Sequence, residues 1–287
     1  MKLQSETVSG EALIGVDMGA TNVRAARISR GRLQQFFTAS VPSQGSEKEI
    51  LDCVLSAVES VMNDQVGGVG CGVPGVVDEK GVVYDVINAP AWKEVALADA
   101  LQKRFGRPAL VNNDANCFAL GEKHFGKGRD CSSFVALSVG TGLGAGLIVH
   151  DRLYSGAHCG AGEFGMIPYR DQVLEYFASG QLFENVYGIA GTEVFEKALQ
   201  DDSRALRLYE ELGEHLAEAI KIVLLAFDPE MIVLGGSVSK AYRFFEDSLW
   251  NRVRDFPYQR AVDQLRIEVS EDEHIAVKGA AALFFDG

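Results

Sequence analysis

The apolar and polar positions of this chain fall into two alternating rhythms. Strand-length apolar runs at Leu13–Val16, Phe134–Leu137 and Met231–Leu234 each lead into a glycine turn. Between them lie stripes at helical spacing. One is Ile50, Leu51, Val54, Leu55, Val58, Val61 and Met62, behind a capping box at Ser46 and Glu49. The longest predicted helix covers residues 206–227, with Leu208, Leu212, Leu216, Ala219, Ile220, Val223, Leu224 and Phe227 as its buried stripe and Asp228-Pro229 as its stop. A third strand is predicted over Leu33–Val41 after the Gly31-Arg32 turn, and a buried strand over Gly67–Val73 ending at Pro74-Gly75. Gly81–Tyr84 reads as a further extended stretch, Leu97–Phe105 as a helix, Pro108–Val111 as a short strand, and the residues up to about His124 as a helix. The last strand is Leu265–Val269, and a closing helix runs from Ala276 to Phe285 with Gly279–Ala282 as its small-residue face. Strand–helix–strand order predicts a mixed α/β sheet.

Chemistry concentrates at the glycine turns. Ser138–His150 carries glycines at 140, 142, 144 and 146 between two strand-length apolar runs. Glycine lacks a Cβ, so an anion can approach the backbone, and successive N–H groups can form a nest for it. A plain glycine-rich hairpin is the competing explanation. Residues 13–28 repeat the layout: apolar strand, Gly19-Ala20-Thr21 turn, alternating strand, with Asp17 placed to hold magnesium through water. Neither copy fits the P-loop, and neither fits Gly-x-Gly-x-x-Gly opening a helix, because a strand follows each turn. Two such hairpins predict two related domains closing on a nucleotide. Gly235-Gly236-Ser237 is a third turn, suited to a flat ring or ribose.

Other polar groups are candidates with ordinary alternatives beside them. Asn112–Asn116 lies at a strand-to-helix switch, where ligands bind in α/β folds, although such residues also cap helices. Glu163 sits among glycines 160, 162 and 165, open to a ligand. Glu175 alone reads as a helix surface charge. Trp92 could stack on a sugar, but a lone tryptophan more often packs. His158-Cys159 does not make a metal site.

Composition narrows the class. The chain has 287 residues, 47% of them hydrophobic, and a formal net charge of −13. That charge argues against nucleic acid or an anionic membrane as partner. The five cysteines are scattered, with no Cys-x-x-Cys, and read as reduced thiols of a cytoplasmic protein. Met1–Val8 lacks a signal-peptide apolar region, and no apolar run approaches a membrane span.

Taken together, the three glycine turns, Asn113-Asp114 and Glu163 resemble the ROK family (repressor, open reading frame, kinase) of the actin-like ATPase superfamily, from about Ala12 to Phe285. The resemblance implies two RNase-H-like domains of actin/hexokinase type with a cleft between them. The expected division is 1–111 plus a returning C-terminal helix at about 274–287, and 112–273. ATP would be held by Asp17, Gly19, Thr21 and Asn22, by Gly140, Thr141, Gly142 and Gly144, and by Gly235, Gly236 and Ser237. A sugar would be held by Gly75, Asn88, Asn113, Asp114, Glu163 and Glu175, with Asp114 as general base. The family also implies Mg2+ and a homodimer.

Two departures from the family pattern matter. The histidine three residues after the glutamate is Met166 here, and the cysteine cluster between Met166 and Glu175 is missing. Both imply a member without zinc. Ala20 stands where a second glycine is usual. The implied reaction is phosphoryl transfer from ATP to a hexose hydroxyl, glucose to glucose 6-phosphate by default, with domain closure suppressing ATP hydrolysis. N-acetylmannosamine, N-acetylglucosamine and fructose are the alternative acceptors. A non-catalytic sugar sensor or a repressor is the reading outside the enzyme class. Repressors of the family carry an N-terminal helix-turn-helix, and only about eleven residues precede the first predicted strand.

Overall fold

The computed structural model describes residues 12–84, 86 and 88–286. Met1–Val8, expected to lack a leader, lies outside the described residues. The chain opens with β1 (Ala12–Met18), β2 (Asn22–Ser29) and β3 (Arg32–Ser40), followed by α1 (Glu47–Val61) and β4 (Val66–Val73). Three short strands, β5 (Val76–Val77), β6 (Val82–Tyr84) and β7 (Glu94–Ala96), form a separate small sheet. Next come α2 (Leu97–Phe105), β8 (Ala109–Asn113) and α3 (Asp114–Phe125). The main sheet has the order β3-β2-β1-β4-β8. Its hairpin strands are antiparallel, and β1, β4 and β8 run parallel.

The second half begins with β9 (Phe134–Val139), β10 (Leu143–Val149) and β11 (Arg152–Leu153). A small hairpin, β12 (Pro168–Tyr169) and β13 (Gln172–Val173), leads into the one-turn α4 (Leu174–Phe177). Then follow α5 (Gly191–Ala198), α6 (Ser203–Phe227), β14 (Met231–Gly235), α7 (Tyr242–Val253), α8 (Gln259–Gln264), β15 (Arg266–Val269) and α9 (Ile275–Ala282). The second sheet has the order β11-β10-β9-β14-β15, with β9, β14 and β15 parallel. The strand order of the first sheet is therefore repeated, as the duplicated glycine hairpins require.

By compactness the chain forms two units. One holds the residues up to Asp130, Gly146–Ala161 and the residues from Asp272 onward; the other holds Cys131–Ala145 and Gly162–Glu271. Helix α3, placed by sequence after the expected boundary at Val111, groups with the first unit. The reason is glycine-mediated packing against α9. A Cβ on Gly279 would stand 1.7 Å from the carbonyl oxygen of Cys117, and one on Gly121 2.2 Å from that of Ile275. The other side of α9 lies on the sheet, where a Cβ on Gly15 or Gly70 would stand 1.8 Å from the carbonyl oxygens of Val277 and Ala280 respectively. These contacts explain why β4 reads Val-Gly-Gly-Val-Gly-Cys-Gly-Val. One face offers Val69, Cys71 and Val73 to the core formed with Ile50, Val54 and Val58 of α1. The opposite face is bare so that a helix backbone can reach it.

Local signals hold at the helix ends. Ser46 Oγ accepts the Glu49 N–H at 3.3 Å, and the Ser46 N–H donates to Glu49 Oε2 at 2.8 Å. Asp202 caps α6 through the N–H groups of Arg204 and Ala205, and the helix ends where Asp228 turns to φ 43°. Phe227, expected in the buried stripe of α6, is 37% exposed. The closing helix stops at Ala282 rather than Phe285. Trp92 is fully buried, and its indole N–H donates to the Glu47 carbonyl at 3.2 Å, so it serves packing rather than ring stacking.

Candidate active site

In the first unit the candidate residues gather at one edge of the sheet because β1, β4 and β8 run parallel. Asp17 pairs with Gly72, and Val73 with Asn113, so Asp17, the Pro74-Gly75 turn and the start of α3 all lie at the strands' C-terminal ends. Ligands of open α/β sheets bind at that edge. Asp17 lies across the hairpin from Arg24, 3.7 Å from its guanidinium. Burial pushes the Asp17 carboxyl up, and Arg24 opposes that push. The turn after Asp17 is closed by the Gly19 N–H donating to the Asn22 carbonyl at 2.8 Å. Asn22 Nδ2 donates to Thr21 Oγ1 at 3.1 Å, and both residues are exposed.

Asn113 and Asp114 form the junction of β8 with α3. Asn113 Oδ1 accepts the N–H groups of Ala115 and Asn116, at 2.8 and 3.3 Å, so the capping role is real. The other end of the same side chain donates to the Gly75 carbonyl at 3.1 Å. Asn113 therefore joins α3 to the Gly75 turn, whose φ of 106° suits glycine. Asp114 Oδ1 accepts the Ala115 N–H at 2.9 Å, which orients the carboxylate at the helix start. Asn112, which had no role of its own in the sequence, accepts from Asn116 Nδ2 at 2.9 Å and steadies the junction. Asn88 lies exposed on its loop.

The second unit holds the other candidates. The turn Gly140–Gly142 is closed by the Gly140 N–H donating to the Gly142 carbonyl at 3.0 Å, with Thr141 exposed at its tip. Gly235 pairs with Ser138 across parallel strands, so the Gly235-Gly236-Ser237 turn stands beside the Gly140 turn. A Cβ on Gly140 would lie 3.7 Å from Ser237 Oγ. Gly236 has φ 83°, and a Cβ there would meet the Val139 carbonyl oxygen at 2.4 Å. Two bare turns thus share one edge, with Gly144 following in β10.

Glu175 and the loop that carries Glu163 pack against the same hairpin. Glu163 is exposed. Partial desolvation of its carboxyl, then the negative charge of Glu175, pushes its pKa up. Glu175, on α4, is not the plain surface charge that its isolated sequence context suggests. Its Oε2 accepts the backbone N–H of Leu143 at 3.2 Å, and a Cβ on Gly142 would lie 2.8 Å from that oxygen. The glycines around Glu163 serve this approach: a Cβ on Gly162 would stand 2.2 Å from the Ala145 carbonyl oxygen, and one on Gly165 2.5 Å from that of Leu143.

Met166 is 52% exposed. After it, the β12–β13 hairpin is held by the Tyr169 hydroxyl against His215 Nδ1 at 3.0 Å. Among the described residues no group of three or more His, Cys, Asp or Glu side chains could hold a metal. Asp17 is a buried carboxylate at the strand ends, a hard oxygen donor of the kind magnesium takes. Cavities of about 610 and 420 Å3 open elsewhere, the first lined by residues such as Arg27, Arg30 and Arg32, the second by Tyr187, Arg204 and Arg207. None of the candidate residues lines either one.

Residues 13–286 match the ROK family profile. A glucokinase of Thermotoga maritima is 29% identical over 94% of this chain and 96% of its own length. A xylose repressor of Caldicellulosiruptor bescii is 29% identical over 93% of this chain and 76% of its own length. A ROK family glucokinase from Streptomyces griseus, solved in complex with glucose and AMPPNP, superposes with a TM-score of 0.83 at 27% identity, covering 96% of this chain and 100% of that one. The repeated sheet order, the paired glycine hairpins and the match along almost the whole sequence agree: the chain belongs to the ROK family, with its two-domain actin-like ATPase fold.

Proposed function

We propose that this protein is an ATP-dependent sugar kinase that transfers the γ-phosphoryl group to a hexose hydroxyl. Glucose, giving glucose 6-phosphate, is the leading acceptor. The observation that carries the reading is the presence of two strand–turn–strand hairpins, at Gly19 in one unit and Gly140 in the other, together with an aspartate bonded at the start of α3. The glucokinase relatives support the same class of chemistry.

Phosphoryl transfer asks the protein chiefly for positioning and charge stabilisation. Gly19, Thr21 and Asn22 in one unit, and Gly140, Thr141, Gly142 and Gly144 in the other, form turns that offer phosphates bare backbone and the Thr21 and Thr141 hydroxyls, while the N–H groups of Gly19 and Gly140 close the turns themselves. Gly235, Gly236 and Ser237 offer a bare surface to the adenosine. Mg2+ bound with the nucleotide supplies charge neutralisation, and Asp17 is the residue to hold it. Asp114 accepts the proton of the attacking hydroxyl. Asn113, Glu163 and Glu175 fix the sugar hydroxyls, with Gly75 and Asn88 bordering them.

N-acetylmannosamine, N-acetylglucosamine and fructose are the alternative acceptors. Exposed Met166 offers no ring nitrogen to a sugar hydroxyl, which leaves acceptor choice to other groups. The cellular setting proposed is the cytoplasm, with a homodimer and without nucleic acid. The five cysteines, none of them in a disulfide, support the cytoplasm, and the net charge of −13 supports the absence of nucleic acid. Mass spectrometry of the sugar after incubation with Mg-ATP tests the reading. A hexose monophosphate supports it; sugar binding without phosphate transfer favours the sensor.

A further inference from the structure

The glycine turn at Gly140–Gly142 does not stand alone: the residues just after α4 hold it. Ser179 is fully buried. Its Oγ lies 2.9 Å from the Thr141 carbonyl oxygen and 2.6 Å from that of Glu175, and it accepts the Gln181 N–H at 3.2 Å. The hydroxyl carries one hydrogen, for which two carbonyls compete, one at the tip of the turn and one on α4. The next residue adds a backbone link, the Gly180 N–H donating to the Gly140 carbonyl at 2.8 Å. Gly180 must be bare, since a Cβ there would lie 2.8 Å from that same oxygen.

We propose that the Ser179-Gly180 step is a positioning element that sets the height and tilt of the Gly140–Gly142 turn, and hence how its N–H groups meet a nucleotide phosphate. This rests on the kinase reading, in which that turn holds ATP. These bonds run to the Thr141 and Gly140 carbonyls and use none of the N–H groups of the turn. Ser179 and Gly180 therefore act through the turn and touch no substrate. Glu175 grips the following residue, Leu143, through its carboxylate, so the turn has three separate holds on a single short segment.

Two variants test the element from opposite sides. Ser179→Ala removes the hydroxyl without adding volume. Gly180→Ala keeps the hydroxyl and pushes on the Gly140 carbonyl. Both are compared with wild type by calorimetric titration of AMP-PNP with Mg2+, by titration of glucose without nucleotide, and by steady-state kinetics. The Ser179→Ala protein should bind AMP-PNP about three- to tenfold more weakly, the range of one lost hydrogen bond. Gly180→Ala should lose at least as much, and glucose affinity should change less than about twofold in both. The KM for ATP should rise while that for sugar holds. Variants that bind AMP-PNP as wild type does, or that lose glucose and nucleotide affinity in equal measure, overturn the proposal alone. A wild type that binds no AMP-PNP overturns the kinase reading and this assignment with it.

Discussion

The Glu175 carboxylate accepts the backbone N–H of Leu143 at 3.2 Å, which joins a candidate sugar ligand to the hairpin read as a phosphate holder. Truncation and neutralisation of this side chain therefore have different consequences. Glu175→Ala leaves the Leu143 N–H without its acceptor and should lower kcat/KM for both substrates, by about tenfold or more. Glu175→Gln retains an oxygen for that N–H, so its ATP KM should stay near wild type while its sugar KM rises. Steady-state kinetics on the two variants checks the split.

Asp114 is the proposed base. Asn at this position keeps an oxygen able to accept the Ala115 N–H, so α3 should start as before. Turnover of Asp114→Asn should fall by roughly two orders of magnitude or more, with sugar affinity nearly unchanged. Turnover close to wild type would remove Asp114 from the role.

The buried carboxyl of Asp17 gives a pH-dependent prediction for stability. Its folded pKa lies above the ordinary 3.8, because burial outweighs the help from Arg24. Folding thus favours the protonated form. The resulting stabilisation is complete below the ordinary carboxylate value and is lost as pH rises through the raised folded value. Asp17→Asn lacks that loss. Its melting temperature relative to wild type should climb from acidic to neutral pH and then level off, while its affinity for Mg-ATP drops. A difference in melting temperature that stays flat with pH would contradict the assignment.

The packing of α9 on the sheet predicts a purely structural defect. A Cβ on Gly70 would stand 1.8 Å from the carbonyl oxygen of Ala280, a backbone atom that cannot step aside. Gly70→Ala should cost about 1–3 kcal/mol, visible as a lower denaturation midpoint.

Much of this was legible in the sequence, for physical reasons. The capping box at Ser46 and Glu49 and the stripe of α1 are local signals, and the helix forms where they place it. The Asn113-Asp114 junction and the glycine turns were visible as chemistry on strand ends. What stayed hidden depends on contacts distant in sequence. Glu175 sits on a one-turn helix too short to show periodicity, and its bond to Leu143 spans 32 residues. The Ser179 contact with the Thr141 carbonyl likewise spans 38 residues. Phe227 follows the period of α6, yet the last turn of that helix leaves the core and exposes it. The glycines of β4 suggested a strand but not the helix backbone lying against them, which comes from the far end of the chain.

All the proposed residue roles converge on phosphoryl transfer. Its most direct test is ADP release, measured with a coupled assay and Mg-ATP over a panel of hexoses and N-acetylhexosamines, with Asp114→Asn as the control and a zinc chelator in a parallel set. Sugar-dependent ADP release is expected on at least one acceptor, unaffected by the chelator and nearly abolished in the variant. Folded wild-type protein that releases no ADP with any sugar, or that releases it equally without sugar, would contradict it.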